Sequence, residues 1–488
     1  MELINNKASA KPASIVGQIT AIFFIEASSA AAFAVFFSGL SLYLTQQIHY
    51  TKENAAIITG LFLSLNYFLQ LVGGMIADRI ITYKRFYSIG AVTSAAGCFL
   101  LAYGINLNIG LSLCLMSSLV TNVCMNMFIT TLFTKDQVTE RRIAFIWTYV
   151  GMNLGFLIGY FLTGYYTILN SYFHLFIAMG ILTLVSLGLT LAFIRPSQKN
   201  SINKPVYFQY PTTLLIILGL LCFIFTLFNY SSLAQKCMTI SLLFLFSCLI
   251  NYAYKKSSIS EKKKIIHYAF YSVIAIFFWT IYMLTPIAFM QIIENDVQNT
   301  IFGFTIPPQW FVNIDSIVIL IIAPNLAFLL NNRKDSIEKP LSTLSYFALA
   351  FAFVALAFTT LLIGLFTSID QGKLPMWIML GYLIFLTIGE IFISPTGNSL
   401  IGELIPESLR GLMTGAWSMN IGIGGLLASL ISNKVILPHI DKYGLIRSNL
   451  VQFENIMIII CLMLILLIGL LCFLIANSHR LQKVYFTT

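Results

Sequence analysis

Residues 381–417 read GYLIFLTIGEIFISPTGNSLIGELIPESLRGLMTGAW, and the architecture of the protein can be inferred from this segment. It begins as an apolar helix, and Glu390 lies inside that helix with no Lys or Arg close by in the chain. A carboxylate in hydrocarbon is costly, so we expect this acid to face the interior of a helix bundle or a water-filled cavity. Residues 394–397 (SPTG) interrupt the apolar run and predict a broken helix, which is tolerated where protein or a cavity covers the backbone. An acid beside such a break is typical of a solute-binding site in a transporter.

The composition places the chain in a membrane. Of its 488 residues, 58% are hydrophobic and 9% are charged, whereas a soluble domain has about 25% charged residues. The net charge of +10 does not indicate nucleic acid, because the cations lie in short loops between apolar segments. We read no removable signal peptide at the N-terminus. The eight cysteines lack metal-ligand spacing and are expected to pack between helices.

Fourteen segments are long and apolar enough to span a membrane, since a spanning helix needs about 20 residues. They lie approximately at 15–45, 54–77, 85–105, 108–133, 142–166, 170–194, 211–230, 237–254, 266–290, 310–331, 343–367, 375–400, 410–433 and 452–477. The predicted fold is all-α and polytopic, with two six-helix bundles in residues 1–200 and 263–488 and an inserted helix pair in residues 201–262. With the N-terminus in the cytoplasm, most of the 28 Lys and Arg residues fall on the cytoplasmic side. Both termini are therefore predicted to be cytoplasmic.

The loop after the second span carries a recognisable motif. Residues 73–79 read GGMIADR, followed by Lys84 and Arg85. This resembles the loop motif G-G-x-x-A-D-R-x-x-G of the major facilitator superfamily, whose later Gly is Thr82 here. The resemblance implies a cytoplasmic gate whose charge pairs break on opening, formed by Asp78, Arg79, Lys84 and Arg410. The alternative is a solvated basic loop.

Other segments resemble proton-dependent oligopeptide transporters, a family within that superfamily. Residues 145–155 (FIWTYVGMNLG) are similar to its F-x-x-x-Y-x-x-I-N-x-G segment. Residues 389–417 contain its G-E-x-x-x-S-P-x-G, R-G-L-M and W elements. Residues 278–279 (FW) and 302–311 (FGFTIPPQWF) also match family segments. The resemblance runs nearly the whole length, and bacterial members of the family have fourteen spans.

Several charged positions of the family differ in this chain. Its first-helix motif E-x-x-E-R-F-x-Y-Y starts at Glu26, but the second Glu is Ser29 and the Arg is Ala30. Further along, the family's span-4 Lys, span-7 acid and span-8 pocket Asn align with Asn126, Met283 and Asp315. In the family, the lost Arg and Lys are associated with binding a peptide carboxylate and with proton coupling.

The resemblance implies that Glu390 holds a substrate amino group and that Asn153 lines the pocket. The predicted pocket thus contains Glu26, Asp315 and Glu390 and no cation. At least one of these acids is expected to carry a proton in some transport state, and Glu26 and Glu390 are assigned to proton coupling. A substrate carboxylate would find only neutral donors, namely Asn126, Ser29, Tyr149, Asn153 or Thr130. Trp279 and Trp417 are the remaining candidate substrate contacts.

Structural roles remain open for these residues. Glu26 could hydrogen-bond a neighbouring helix, and Asp315 could be an interfacial acid at a helix start. Asn153 lies on a helix whose glycines, at 151, 155 and 159, are expected to serve helix packing. Trp279 and Trp417 could equally be core aromatics.

The sequence predicts a secondary transporter of di- or tripeptides or peptide-like solutes that works by alternating access. A proton gradient would supply the energy, and no cofactor or metal is expected. The alternatives are a transporter of amino acids, polyamines or other cationic solutes, or a non-transporting sensor. An enzyme is not expected, since no nucleophile–base spacing or phosphate loop is present. The chain is expected in a bacterial inner membrane as a monomer, with the lipid bilayer and protons as partners and no nucleic acid.

Overall fold

The computed structural model describes residues 15–77, 82–133, 138–194, 206–332, 343–368, 373–406 and 409–435, and eight positions between 458 and 473. Ten helices in these ranges are long and apolar enough to cross a membrane, and Leu214–Asn229 and Pro308–Ile322 are shorter apolar helices. The prediction of a polytopic helical protein is confirmed, while the number fourteen is approximate.

The first part of the chain contains eight helices. Two of the predicted spans consist of two helices each, because the regular helix is interrupted at Gly39 and at Leu115. The helices are α1 (Ile15–Ser38), α2 (Leu40–Gln46), α3 (Lys52–Ala77), α4 (Tyr83–Ala102), α5 (Leu107–Cys114), α6 (Met116–Leu132), α7 (Val138–Ile168) and α8 (Tyr172–Phe193).

The predicted inserted pair consists of α9 (Val206–Asn229) and α10 (Ser231–Lys256). Helix α10 packs on α3 of the first part and on α11 and α16 of the last part. The Gln235 side chain of α10 donates to the Ser429 hydroxyl, which donates in turn to the Ala56 carbonyl at 3.1 Å. The pair therefore contacts both predicted bundles; the boundaries of the three predicted domains stay a prediction.

The last part of the chain holds the remaining helices and four two-residue strands. Its helices are α11 (Ile259–Tyr282), a π-helical turn (Thr285–Phe289), α12 (Met290–Asp296), α13 (Pro308–Asn332), α14 (Thr343–Ser368), α15 (Met376–Leu404) and α16 (Arg410–Val435). Strand β1 (Val297–Gln298) pairs in parallel with β4 (Leu374–Pro375), and β2 (Thr300–Ile301) pairs antiparallel with β3 (Phe304–Thr305).

Two local expectations are wrong. The helix does not break at residues 394–397, because α15 continues from Met376 to Leu404 with Pro395 inside it. Proline removes one backbone hydrogen bond, and in a membrane helix the surrounding protein can compensate for this loss. The sequence also predicts that residues 291–309 form the longest loop outside the membrane, but the first six of them are helical, because α12 continues to Asp296.

Helices α1 and α7 pack closely because small residues face each other. A Cβ atom added to Gly151, Gly155 or Gly159 would lie 2.7, 2.2 or 2.5 Å from the carbonyl oxygens of three α1 residues, Phe23, Ala27 and Ala31. The contacts repeat every four residues on both helices, as helical geometry requires. The predicted packing role of these glycines is therefore confirmed.

Candidate functional site

A cavity of about 1080 Å³ lies between helices of the two predicted bundles. Its walls come from α1, α3, α4, α6 and α7 on one side and from α11, α13, α15 and α16 on the other. It extends to Leu409 and Leu412 at the start of α16, the end predicted to face the cytoplasm. Small-molecule sites typically occupy about 300–1,000 Å³, so a short peptide fits this space.

Nine of the ten predicted pocket residues line this one cavity, and Thr130 does not. The nine are Glu26, Ser29, Asn126, Tyr149, Asn153, Trp279, Asp315, Glu390 and Trp417. They belong to α1, α6, α7, α11, α13, α15 and α16, so only the folded bundle brings them together. Their roles in binding and coupling stay predictions.

Two acids form the wall contributed by the last part of the chain. Asp315 on α13 and Glu390 on α15 interact electrostatically, and the Tyr282 phenol of α11 lies beside both carboxylates. Thr387, one turn before Glu390, places its hydroxyl oxygen 2.8 Å from Asp315 Oδ1. One oxygen of Glu390, Oε2, is buried without a hydrogen-bond partner among the described residues. An unpaired buried carboxylate oxygen is costly, so this atom is available to a ligand ammonium.

The third acid lies on the opposite wall. Glu26 is 5% exposed, and its Oε2 atom has no partner among the residues described. Beside it, the Ser29 and Tyr87 hydroxyls lie 2.7 Å apart, and Tyr87 donates to Ser186 at 3.0 Å. Ser29 is thus already engaged with a tyrosine that the sequence did not single out.

The amide and hydroxyl candidates differ in availability. Asn126 is exposed to the cavity, and Tyr149 is 42% exposed. Asn153 lines the cavity and donates from Nδ2 to the Tyr149 carbonyl at 2.9 Å. Thr130 does not line the cavity; its hydroxyl donates to the Asn126 carbonyl at 2.7 Å.

The two tryptophans have different surroundings. The Trp279 indole is 5% exposed, lines the cavity, and its Nε1–H has no acceptor among the described residues. The Trp417 ring packs directly over Gly397, where a Cβ atom would lie 1.8 Å from Cζ2. Trp279 therefore offers a donor to a ligand, whereas Trp417 is held by core packing.

The predicted cytoplasmic gate is described only at Lys84. Its ammonium donates to the carbonyls of Leu191 at 2.9 Å and Ile194 at 2.6 Å, at the C-terminus of α8. A cation at this end of a helix pairs with carbonyls that have no helical partner. This contact lies within the first part of the chain rather than across the two bundles. Asp78, Arg79 and the side chain of Arg410 lie outside the described residues.

The end of the bundle opposite the cytoplasmic mouth is closed by neutral hydrogen bonds. Gln291 Nε2 on α12 lies 3.1 Å from the Ser41 carbonyl, 2.9 Å from the Ser41 hydroxyl and 3.2 Å from the Thr45 hydroxyl on α2. Nearby, Gln46 donates to Glu294 at 3.0 Å and accepts from Tyr172 at 2.7 Å. We call Gln291, Ser41 and Thr45 the glutamine clamp.

A second contact closes the same end between α7 and α13. The Trp310 ring stacks on Phe161 with ring centroids 5.2 Å apart, and its Nε1–H donates to the Phe161 carbonyl at 3.0 Å. Gly164 makes room for this ring, since a Cβ atom there would lie 2.4 Å from Trp310 Cδ1. The described structure is therefore closed at the predicted outer end, and its cavity extends to the predicted cytoplasmic end.

Removing the glutamine clamp is expected to favour opening of the outer end. Each hydrogen bond contributes about 0.5–1.5 kcal/mol net, so Gln291→Ala should shift the closed–open equilibrium by about 1–2 kcal/mol, or roughly 5- to 30-fold. Spin labels are attached to cysteines introduced at Tyr50 and Phe302, with other reactive cysteines replaced by serine. The distance between the two labels, measured by electron spin resonance, should be long in a larger fraction of Gln291→Ala molecules. Gln298→Ala, at an exposed position on β1, is the matched control. An unchanged distance distribution in Gln291→Ala would contradict the clamp's role.

Comparison with known proteins places the chain in a family. Residues 22–429 match the model of the Major Facilitator Superfamily. The chain is 24% identical over 417 residues to "Peptide transporter YePEPT" of Yersinia enterocolitica, a match covering 80% of this chain and 81% of the relative. It is 25% identical over 409 residues to "Dipeptide and tripeptide permease B" of Salmonella typhimurium, covering 82% and 83%.

Solved structures show the same fold. A crystal structure of a peptide transporter POT in complex with sulfate has a TM-score of 0.81 at 16% identity, covering 96% of this chain and 95% of that one. A POT family transporter in complex with 5-aminolevulinic acid has a TM-score of 0.76 at 17% identity, covering 93% and 96%. These similarities confirm the predicted fold and the predicted resemblance to proton-dependent oligopeptide transporters. Because the matched model covers most of its length, the chain belongs to the Major Facilitator Superfamily.

Proposed function

We propose that this protein is a secondary transporter of short peptides or peptide-like solutes that carry an amino group. The observation that carries the proposal is the cavity between the bundles, which is lined by Glu390 and Trp279, each with a buried polar atom (Oε2 and Nε1) that has no hydrogen-bond partner among the described residues. A carboxylate can pair with an ammonium, and an indole N–H can donate to a peptide carbonyl. The relatives named as peptide transporters and permeases support the same substrate class.

Alternating access follows from the arrangement of contacts. The outer end is held by the glutamine clamp and by Trp310, while the cavity reaches toward the start of α16. Transporters of this kind move a central site between the two sides by rocking one bundle against the other. The opposite state requires these outer contacts to separate and the cytoplasmic ends to approach.

Proton coupling is supported by the surroundings of Asp315. The Thr387 hydroxyl has one proton but two acceptors at 2.8 Å, the Leu383 carbonyl and Asp315 Oδ1. A protonated Asp315 can donate to Thr387 and leave the threonine proton for the carbonyl, so every group is paired. Asp315 thereby joins Glu26 and Glu390 as a site for the transported proton. The proton gradient then supplies the energy without a cofactor.

The chain is a multi-pass membrane protein. We propose a bacterial inner membrane location with both termini in the cytoplasm, because the basic loops alternate with poorly charged ones. A monomer is the proposed working unit, since the cavity is formed within one chain.

Uptake into proteoliposomes tests the function. Labelled di-alanine and its C-terminal amide are offered with and without an inward proton gradient and a negative interior potential. Accumulation of either compound that depends on the gradient supports a proton-coupled transporter of amine-bearing solutes. Uptake that requires the protein but does not depend on the proton gradient would overturn the proposal of proton coupling. No uptake or binding of either compound by folded protein would overturn the transport proposal and favour a sensor.

A further inference from the structure

The charged side chains on the described part of the cavity wall are all of one sign. Among the described residues that line it, three are carboxylic acids, Glu26, Asp315 and Glu390, and none is Lys, Arg or His. Lys84, the cation of the predicted gate whose side chain is described, donates to carbonyls at the end of α8. The charge of the described part of the cavity wall is therefore zero or negative, whatever the number of bound protons.

Two of the three acids lie on the wall formed by the last part of the chain, and a group of neutral amides lies on helices of the first part. Glu390, Asp315 and Tyr282 belong to α15, α13 and α11. On the opposite side, α3 and α6 contribute Asn66, Gln70, Asn122 and Asn126. We call these four side chains the amide wall. A substrate that reaches from one bundle to the other thus meets the Asp315–Glu390 pair at one end, and four carboxamides together with Glu26 at the other.

The amide wall suits an uncharged polar group better than a carboxylate. Each carboxamide offers both donors and acceptors, as a substrate amide, ester or hydroxyl also does. A free carboxylate bound there would lose its hydration without gaining a cation, and it would face the fields of the cavity acids. Neutral donors can bind a carboxylate, but more weakly than a charged partner.

We propose that the cavity selects amine-bearing solutes whose other end is uncharged, such as amino amides, amino esters and amino alcohols, with a net positive charge. This inference rests on the proposed function and specifies its substrate class. The amino group lies against Glu390 and Asp315, and the neutral end contacts the amide wall. Trp279 Nε1–H donates to a carbonyl between the two ends.

Equilibrium binding to the purified full-length protein at pH 7 tests the selection. The probes are di-alanine, di-alanine amide and N-acetyl-di-alanine amide, which differ only at the two ends. The amide is expected to bind at least about 10-fold more tightly than the free acid, a difference of about 1.4 kcal/mol. The acetylated compound, which lacks the amine, is expected not to bind.

A charge placed in the amide wall should reverse this preference. Asn122→Lys is expected to tighten binding of the free acid about 10-fold and to weaken binding of the amide. Asn122→Gln keeps a neutral carboxamide and should retain the original preference. If Asn122→Lys does not fold, Asn126→Lys provides the same test.

The outcomes separate the two levels of the proposal. Equal or tighter binding of the free acid by the unaltered protein would overturn the selection for a neutral end, while the transport function would stand. The role of the amide wall would also be overturned if Asn122→Gln lost the preference for the amide over the free acid. The same holds if the lysine variants did not bind the free acid more tightly than the unaltered protein. Absence of binding by all three probes to folded protein, together with absent uptake, would overturn the function itself and the selection with it.

Discussion

Glu390→Gln is expected to weaken binding of an amine-bearing substrate by about 100-fold, the effect of losing roughly 3 kcal/mol. The substitution preserves the size of the side chain and removes its negative charge. Glu390 Oε2 has no hydrogen-bond partner among the described residues, so little native structure depends on it, and its charge remains for the ligand. Equilibrium binding of labelled di-alanine amide to the purified protein measures the effect.

The same substitution elsewhere on the same helix provides the control. Glu403 lies thirteen residues further along α15 and is exposed. Glu403→Gln should bind the substrate like the unaltered protein, because this acid does not line the cavity. Wild-type affinity in Glu390→Gln would rule out the ammonium contact at this residue.

Gly155→Ala is expected to destabilise the folded protein by about 1–3 kcal/mol, the usual cost of overpacking a tight contact. The added Cβ atom would lie 2.2 Å from the Ala27 carbonyl oxygen and would meet the backbone of α1. Backbone cannot rotate away as a side chain can, so α1 and α7 must separate. Glu26 and Asn153, which those two helices place in the cavity, would separate with them.

This destabilisation is measured by thermal unfolding of the detergent-solubilised protein. The loss of the monodisperse peak on heating reports the unfolding. Gly188→Ala on α8 is the matched control, because a Cβ atom at Gly188 has no neighbour within 4 Å. Alanine has the higher helix propensity, so the control should be neutral or slightly stabilising. Equal midpoints of thermal unfolding for Gly155→Ala and Gly188→Ala would contradict the prediction, because they would show that the α1–α7 contact accommodates a methyl group.

Some features of the fold follow from local sequence alone. Runs of about 20 apolar residues define membrane helices, because backbone hydrogen bonds must be satisfied within each segment. The glycines of α7 predict close packing, since only small residues allow helix backbones to approach. Glu390 is a clear candidate for the site because an acid within an apolar run is costly unless it faces a cavity or the interior of the bundle.

Other features had no signal in the sequence. Gln291, Ser41 and Thr45 are ordinary polar residues near helix ends, and their common contact joins positions about 250 residues apart. Tyr87 and Tyr282 are two of 23 tyrosines, so their positions beside Glu26 and the Asp315–Glu390 pair could not be selected in advance. The sequence also predicts a break where α15 is continuous. That prediction failed because the position of a proline does not show how the surrounding helices support the backbone.

Local sequence alone specifies the membrane-spanning helices of this chain and the acids that lie within them. The free-energy cost of burying a charge or an unpaired backbone group in the membrane applies to each segment separately. The tertiary structure decided which side chains share the cavity, that its described wall has acids and amides but no cation, and that neutral hydrogen bonds close its outer end. These properties depend on how helices distant in the chain are rotated and packed, and that information lies in the contacts between helices.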